Sequence, residues 1–498
     1  MNIATILDMA AEAFGDRIGV VCGTQRLSYT ELRSAAWNAA EAIKASGARY
    51  VALLDVTSPA APVALFAAAY AGVPYVPLNY RLTKAEINEL VARVAPAYLV
   101  TSPDYAKLVD AREGVRLVER DAFMSLPSIT GEPPIPGDDP REVAVQLFTS
   151  GTTGKPKAAI LRHENLSSYI FGTIEFACAE EDDAILVTVP PYHIAGISAV
   201  LSSTYACRRM VQLDGFEAAS WLAACRAEKV SNAFLVPTML QRIVDHLAEC
   251  GEAVAMPALR SLAYGGGKMP LATIQQAMAL LPGVDFTNAY GLTETSSTIA
   301  VLTPDDHRAA ATSSDPAVRR RLGSVGKPGA VEIEIRDDGG KILGAEEAGL
   351  VFVRGPQVSG EYLSLGSQLD ADGWFPTKDR GYLDAEGYLF LDGRSDDVIV
   401  RGGENISPGE IEDVLLSHAA VADVAVVAMP DQQWGEAVAA AIVLKPGALA
   451  DIAELQALVK DRLRSSRVPQ KIIFKDALPY NETGKVLRRV IRQEFASA

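Results

Sequence analysis

Cysteine is scarce in this chain. Five residues (Cys22, Cys178, Cys207, Cys225 and Cys250) are scattered over 498, and no two form a C-x-x-C pair. That excludes a disulfide framework and the usual spacing of a structural zinc site. A reducing, cytoplasmic setting is expected. Positive charge is also short: 46 Lys and Arg against 62 Asp and Glu leave a net charge of −16. Nucleic acids and anionic membrane surfaces need a positive field, so neither is expected as a partner. Long apolar runs are missing. The most apolar stretch, Pro59 to Tyr70, contains two prolines and is too short to span a bilayer. A packed helix lined by alanines is expected there. No basic residue precedes Arg17, so the charged start of a signal peptide is not expected either. Fixed-period repeats and low-complexity tracts are absent.

What is present is an ordinary globular composition, 49% hydrophobic and 22% charged. The length predicts about three domain-sized units. Strand-like and helix-like pieces alternate. Ser28-Tyr29-Thr30-Glu31 and Thr83-Lys84-Ala85-Glu86 are capping-box patterns opening helices, with buried strands at Arg49 to Val56 and Tyr98 to Val100. Such alternation favours parallel α/β layers. Thr130 to Pro140, with four prolines, reads as a linker. Strands follow at Val143 to Phe148, Ala184 to Val189, Ala233 to Val236 and Leu262 to Tyr264, with a helix near Trp221. From Val325 to Phe390, short strands with period-two patterning and Gly/Asp turns predict a β-rich module. After Gly393 a small α+β domain is expected. It has a capping box at Ser407 to Glu410, strands at Val421 to Met429 and Ile472 to Phe474, and a helix from Ile452 to Leu463.

The segment Thr149-Ser150-Gly151-Thr152-Thr153-Gly154-Lys155-Pro156-Lys157 follows an apolar strand. Its glycines allow close backbone approach, and its hydroxyls and lysines supply donors without any carboxylate. That combination suits a polyphosphate. It is not a Walker A loop, because Pro156 stands where the second glycine belongs; Gly265-Gly266-Gly267-Lys268 fails too, with Leu262 in the first glycine's place.

This loop resembles the phosphate-binding signature of the adenylate-forming superfamily, and within it the AMP-forming acyl-CoA synthetases. Further motifs in the same order extend the resemblance. They are Asn288-Ala289-Tyr290-Gly291-Leu292-Thr293-Glu294, Trp374 to Asp379, Gly393-Arg394-Ser395-Asp396-Asp397, Gly402-Gly403-Glu404-Asn405 and Thr483-Gly484-Lys485. The resemblance implies ATP and CoA as co-substrates and Mg²⁺ as cofactor. It implies a large N-terminal domain over residues 1–393, made of α/β layers with a β-rich subdomain. A small mobile α+β domain would follow over 394–498, hinged near Asp396.

The site residues follow from the same resemblance. Thr149, Ser150, Gly151, Thr152, Thr153, Gly154, Lys155 and Lys157 would hold the outgoing phosphates. Thr293 would contact the α-phosphate, and Glu294 would hold Mg²⁺, a hard cation preferring oxygen. Gly266, Asn288, Ala289, Tyr290 and Gly291 would frame the nucleotide base. Asp379 and Arg394 would take the ribose, the carboxylate accepting and the guanidinium donating. Lys485 would bridge carboxylate and phosphate in the transition state. His193, Ala263, Tyr264 and Gly265 would line the acyl pocket. Gly402, Gly403, Glu404, Trp434, Arg467 and Lys471 would meet CoA. Amino-acid-activating relatives place an aspartate near His193, whereas residues 190–200 contain no Asp or Glu, so a fatty or aryl acid is favoured.

Three positions depart from the family pattern. Ala158 and Lys378 stand where glycine is usual, and Arg162 stands where threonine is common. If position 378 needs a positive φ, lysine is strained there. Two rivals stay open: an acyl-AMP ligase that hands its product to an acyl carrier protein, and a non-catalytic nucleotide-binding homologue. A homodimer also stays open.

Overall fold

Ser28 and Thr83 each accept a hydrogen bond from the amide three residues on, that of Glu31 or Glu86. In both, the cap amide donates to the glutamate carboxylate; these are the two capping boxes expected, and helices Tyr29–Ser46 and Lys84–Arg93 follow them. Helix Ala60–Ala71 is buried from Ala60 through Tyr70. Its small side chains let neighbouring backbones approach closely, and it shares one core cluster with Leu32, Ala36, Ala39 and Ile43. Among the described residues no helix is long and apolar enough to cross a membrane. The structure is a computed structural model that describes residues 1–129, 131–149, 156–250, 256–480 and 486–497.

Contacts group the chain into two compact units, residues 1–332 with 353–375, and residues 333–352 with 376–498. The first unit contains two mixed sheets. In one, Ile18–Cys22, Arg209–Gln212, Ala184–Val187, Asn232–Leu235, Ser261–Gly265 and Asp285–Leu292 run parallel. Antiparallel strands close both of its edges. In the other, Val115–Glu119, Ala97–Thr101, Tyr50–Leu54, Tyr75–Pro77 and Val143–Thr149 run parallel. Lys157–Arg162, Glu361–Tyr362 and Gly366–Ser367 continue it antiparallel. The parallel strands are the predicted α/β layers, most of them apolar because both faces are covered; the edge strand Val115–Glu119 is the exception.

Most of the β-rich module falls in the second unit; it is a four-stranded sheet of Glu332–Arg336, Gly349–Arg354, Phe375–Leu383 and Leu389–Arg394. A five-stranded sheet follows, in which Val421–Asp431 and Gly435–Leu444 form a long hairpin at one edge. Helices Pro408–Leu416, Ile452–Arg462 and Arg488–Ser497 accompany it. The expected capping box at Ser407 does not form. Its hydroxyl donates to the Asp392 carbonyl instead, and Glu410 pairs with Arg467 at 3.0 Å. Remote partners outcompete the local ones.

Candidate active site

In open parallel sheets, ligands gather beyond the carboxyl ends of the strands. Ser261–Gly265 ends there in Gly265-Gly266-Gly267. A Cβ on Gly265 would lie 2.2 Å from the Ala289 carbonyl oxygen, so only glycine lets the two strands pair; Gly266 then turns away at φ 81°. The adjacent strand places Asn288 opposite Tyr264 and Ala289 opposite Gly265. Asn288 is buried and donates to the Ser324 carbonyl at 3.1 Å. The strand is bulged between Tyr290 and Gly291, next to the residues expected at the α-phosphate.

Beyond Leu292 the chain makes a single 3₁₀ turn, Thr293–Thr295. The Glu294 carbonyl accepts the amides of Ser359 at 2.9 Å and Gly360 at 3.1 Å. Its carboxylate Oε1 accepts the Tyr362 hydroxyl at 2.5 Å. The Tyr362 ring in turn lies under Lys157, whose Nζ is 5.8 Å from the ring centroid. Thr149 pairs with Lys157 across the hairpin and donates its hydroxyl to the Lys157 carbonyl at 3.4 Å. Thr149, Lys157 and Glu294, far apart in sequence, are thus one connected group. Ser150, Gly151, Thr152, Thr153, Gly154 and Lys155 lie outside the described residues.

Among the described residues no cluster of three or more His, Cys, Asp or Glu side chains could hold a metal. A cation at Glu294 would have one carboxylate and would complete its shell from hydroxyl, phosphate and water oxygens. That donor set fits Mg²⁺, which usually takes one or two carboxylates plus substrate phosphates.

The loop's feet have their own fastening. Arg93 lies 4.7 Å over the Phe148 ring and donates to the Pro156 carbonyl at 2.8 Å. Ala158 is buried in the returning strand opposite Phe148, and its carbonyl takes the Leu363 amide. Arg162 grips Glu361 with two nitrogens at 2.8–3.0 Å. This pair explains an arginine where threonine is common, because it ties strand Lys157–Arg162 to the segment bearing Tyr362.

His193 caps helix Ile194–Tyr205 through its backbone, and its ring lies 4.5 Å from that of Tyr192. Tyr192 meets Tyr80 edge-on at 5.3 Å. Ala263 is partly exposed, while Tyr264 points to the opposite face, wholly buried. Its hydroxyl meets His307 Nε2 at 2.8 Å, and His307 Nδ1 meets the Thr303 carbonyl at 2.8 Å. The carbonyl can only accept, so Nδ1 donates and the tyrosine donates to Nε2. Burial raises the tyrosine pKa and lowers that of the histidine, keeping both neutral.

In the second unit, Asp379 and Arg394 oppose each other on antiparallel strands, 3.0 Å apart. The carboxylate side chain is 9% exposed and the arginine 41%, so an incoming ligand meets the guanidinium first. Between Thr377 and Asp379, Lys378 takes φ 65°, the left-handed conformation anticipated for that position. The Thr377 hydroxyl supports this conformation by accepting the Asp379 amide at 3.1 Å. Asp396 lies in the 3₁₀ turn Ser395–Asp397, and its carbonyl accepts from Arg492 at 3.2 Å. Gly402 and Gly403, at φ 57° and 85°, turn the chain into Glu404. The Trp434 ring covers Gly402 so closely that a Cβ would sit 2.7 Å from it. Glu404 pairs with Arg467, and that hydrogen bond lowers the carboxyl pKa. The Lys471 ammonium lies 6.0 Å over the Phe495 ring. Lys485 lies outside the described residues; its neighbours Tyr480 and Val486 bridge each other.

A family model described as "AMP-binding enzyme" matches residues 7–363, and one described as "AMP-binding enzyme C-terminal domain" matches residues 410–485. The chain is 32% identical over 491 residues to the indoleacetate–CoA ligase of Aromatoleum aromaticum, covering 94% of this chain and 93% of that protein. It is 31% identical over 498 residues to the fatty acid–acyl-carrier-protein ligase ScoC of Streptomyces coeruleorubidus, covering 96% and 93%. The solved structure of o-succinylbenzoate CoA synthetase from Bacillus subtilis, in complex with its acyl-adenylate intermediate, superposes with a TM-score of 0.83 at 29% identity. That match covers 98% of this chain and 97% of the other.

Proposed function

The chain belongs to the AMP-binding enzyme family of the adenylate-forming superfamily and is an AMP-forming acyl-CoA synthetase; from that premise we propose how its residues divide the reaction and which acid it takes. A carboxylate oxygen attacks the α-phosphorus of ATP, the bond to the β-phosphate oxygen breaks, and pyrophosphate leaves. The CoA thiol then attacks the acyl carbon of the acyl-AMP, AMP leaves, and the thiol proton passes to solvent. Both steps depend on positioning and charge neutralisation.

In the first half-reaction, residues 149–155 and Lys157 receive the β- and γ-phosphates. Thr293 contacts the α-phosphate, and Glu294 holds Mg²⁺, which supplies positive charge against the triphosphate. Gly266 and Asn288 to Gly291 frame the base, Asp379 and Arg394 take the ribose, and Lys485 bridges the reacting groups. The observation that carries this reading is the connection from Lys157 through Tyr362 to Glu294, because it joins the base of the phosphate loop to the metal carboxylate. In the second half-reaction, residues 394–498 turn about Asp396 against residues 1–393. Gly402, Gly403, Glu404, Trp434, Arg467 and Lys471 then face CoA.

The acid is aromatic in this reading. Tyr80, Tyr192 and His193 form an aromatic cluster at the expected acyl wall, and no Asp or Glu lies within residues 190–200 to hold an ammonium group. Relatives named for indoleacetate and o-succinylbenzoate support it. Cysteines distributed without a disulfide framework support a cytoplasmic location. A panel of arylacetic, cinnamic, benzoic and fatty acids, with pyrophosphate release and CoA consumption read separately, tests the assignment. Turnover confined to fatty acids would refute it. The ScoC relative favours a second reading, transfer to a carrier protein. Pyrophosphate release without CoA consumption, restored by a holo-carrier protein, would establish that reading.

A further inference from the structure

We propose that Tyr362 is a positioning residue that keeps Lys157 and Glu294 apart and aims the Glu294 carboxylate for the metal. It rests on the assignment of Glu294 made above. Lys157 and Glu294 have opposite charges and belong to the same connected group, so a direct ion pair is their natural alternative. Such a pair would occupy the cation meant for phosphate and the carboxylate meant for Mg²⁺. Tyr362 offers each a separate partner. The ammonium lies 5.8 Å from the ring centroid, where the negative face of the π-system attracts it. The carboxylate is held at the ring's tip by a 2.5 Å hydrogen bond to the hydroxyl.

That bond engages Oε1 and leaves Oε2 for a cation, which selects one carboxylate orientation before any ligand arrives. Tyr362 is itself placed precisely. Its strand pairs with Lys157–Arg162, with Tyr362 opposite Ala159 and Glu361 opposite Ile160. Glu361 is locked by Arg162, and the neighbouring Ser359 and Gly360 amides bind the Glu294 carbonyl. The segment Ser359 to Tyr362 therefore fixes both the backbone and the side chain of Glu294.

The hydroxyl and the ring can be removed separately. Tyr362→Phe keeps the ring under Lys157 and loses the hydroxyl's hold on Glu294. It is expected to raise the half-saturating Mg²⁺ concentration for pyrophosphate release about tenfold, the scale of one charge-assisted hydrogen bond, with turnover recovering at saturating Mg²⁺. Tyr362→Leu also lets the ion pair form, so it is expected to raise both the Mg²⁺ requirement and the KM for ATP. A second readout is independent of turnover: binding of Mn²⁺, as a Mg²⁺ surrogate, in the presence of ATP, followed by electron paramagnetic resonance. It should weaken in Tyr362→Phe. Unchanged Mg²⁺ response and Mn²⁺ binding in Tyr362→Phe would overturn the inference. Glu294→Gln, measured alongside, separates the two levels. If it shifts both readouts while Tyr362→Phe shifts neither, only the role of Tyr362 fails; if it shifts neither, the metal assignment of Glu294 fails with it.

Discussion

Replacing Lys378 tests whether strain is stored beside the proposed ribose carboxylate. Lys378 is exposed and sits at φ 65°. A Cβ in that region crowds the neighbouring carbonyl and costs about 1–2 kcal/mol. Glycine removes that cost but gives the unfolded chain about 0.5–1 kcal/mol of extra backbone freedom. The difference should leave Lys378→Gly more stable than the native chain by about 0.5–1 kcal/mol. Lys378→Ala keeps the Cβ and should match the native chain, which controls for the lost ammonium. Lys378→Val adds a β-branch and should fall below alanine by about 1 kcal/mol. Urea unfolding at constant slope measures each difference, and amide exchange along Phe375–Leu383 shows whether the change is local. Thr377 continues to hold the Asp379 amide in every variant, so AMP affinity should stay within about twofold. A glycine variant no more stable than alanine, or a valine variant equal to it, would refute the reasoning.

His163 makes the first unit acid-sensitive. Its Nδ1 accepts the Ile3 amide at 3.2 Å, and burial, followed by the charge of the N-terminus, lowers its pKa to about 4. A depressed histidine favours folding fully above its unfolded pKa of 6.5, and the contribution disappears as pH falls towards 4; the shift corresponds to about 3 kcal/mol. Unfolding free energies measured from pH 7 to 4.5 should therefore fall more steeply for the native chain than for His163→Gln. Arg93→Leu frees both feet of the phosphate loop and should raise the KM for ATP about fivefold to tenfold, leaving thioester formation from preformed acyl-AMP unaffected. Gly265→Ala drives a methyl group into the Ala289 carbonyl and should cost about 2–3 kcal/mol, read by urea unfolding.

Locally encoded features were legible in the sequence. Ser28 and Thr83 form their capping boxes because every partner lies within one turn. Lys378 stood out only as a departure from glycine in a family motif; its φ of 65° falls inside strand Phe375–Leu383. Ser407 shows the limit: its pattern is identical in kind, but Asp392 and Arg467 take its groups from a distance. Strand Gly435–Leu444 escaped notice because it is central and covered on both faces, so its alanines and valines show no alternation. The same distance hid part of the candidate site. Glu294 and Lys157 stand in motifs, whereas Tyr362 matters only through these two partners, both remote in sequence. Arg93 ends an ordinary amphipathic helix, and nothing in its neighbourhood announces Pro156 as its acceptor.

The fastening of strand Lys157–Arg162 to Glu361–Tyr362 also sets a timetable for synthesis. The ion pair that seals this edge joins residues 199 positions apart. At about 5–20 residues per second, a ribosome takes about 10–40 s to deliver the second partner after the first. Throughout that interval Ala159, Ile160 and Leu161 form an unpaired, apolar strand edge, the kind that recruits other chains. The nascent protein is therefore most exposed to aggregation while its phosphate loop is already made but its closing strand is not. Arg162, charged and placed at the end of that open edge, guards it before Glu361 is made.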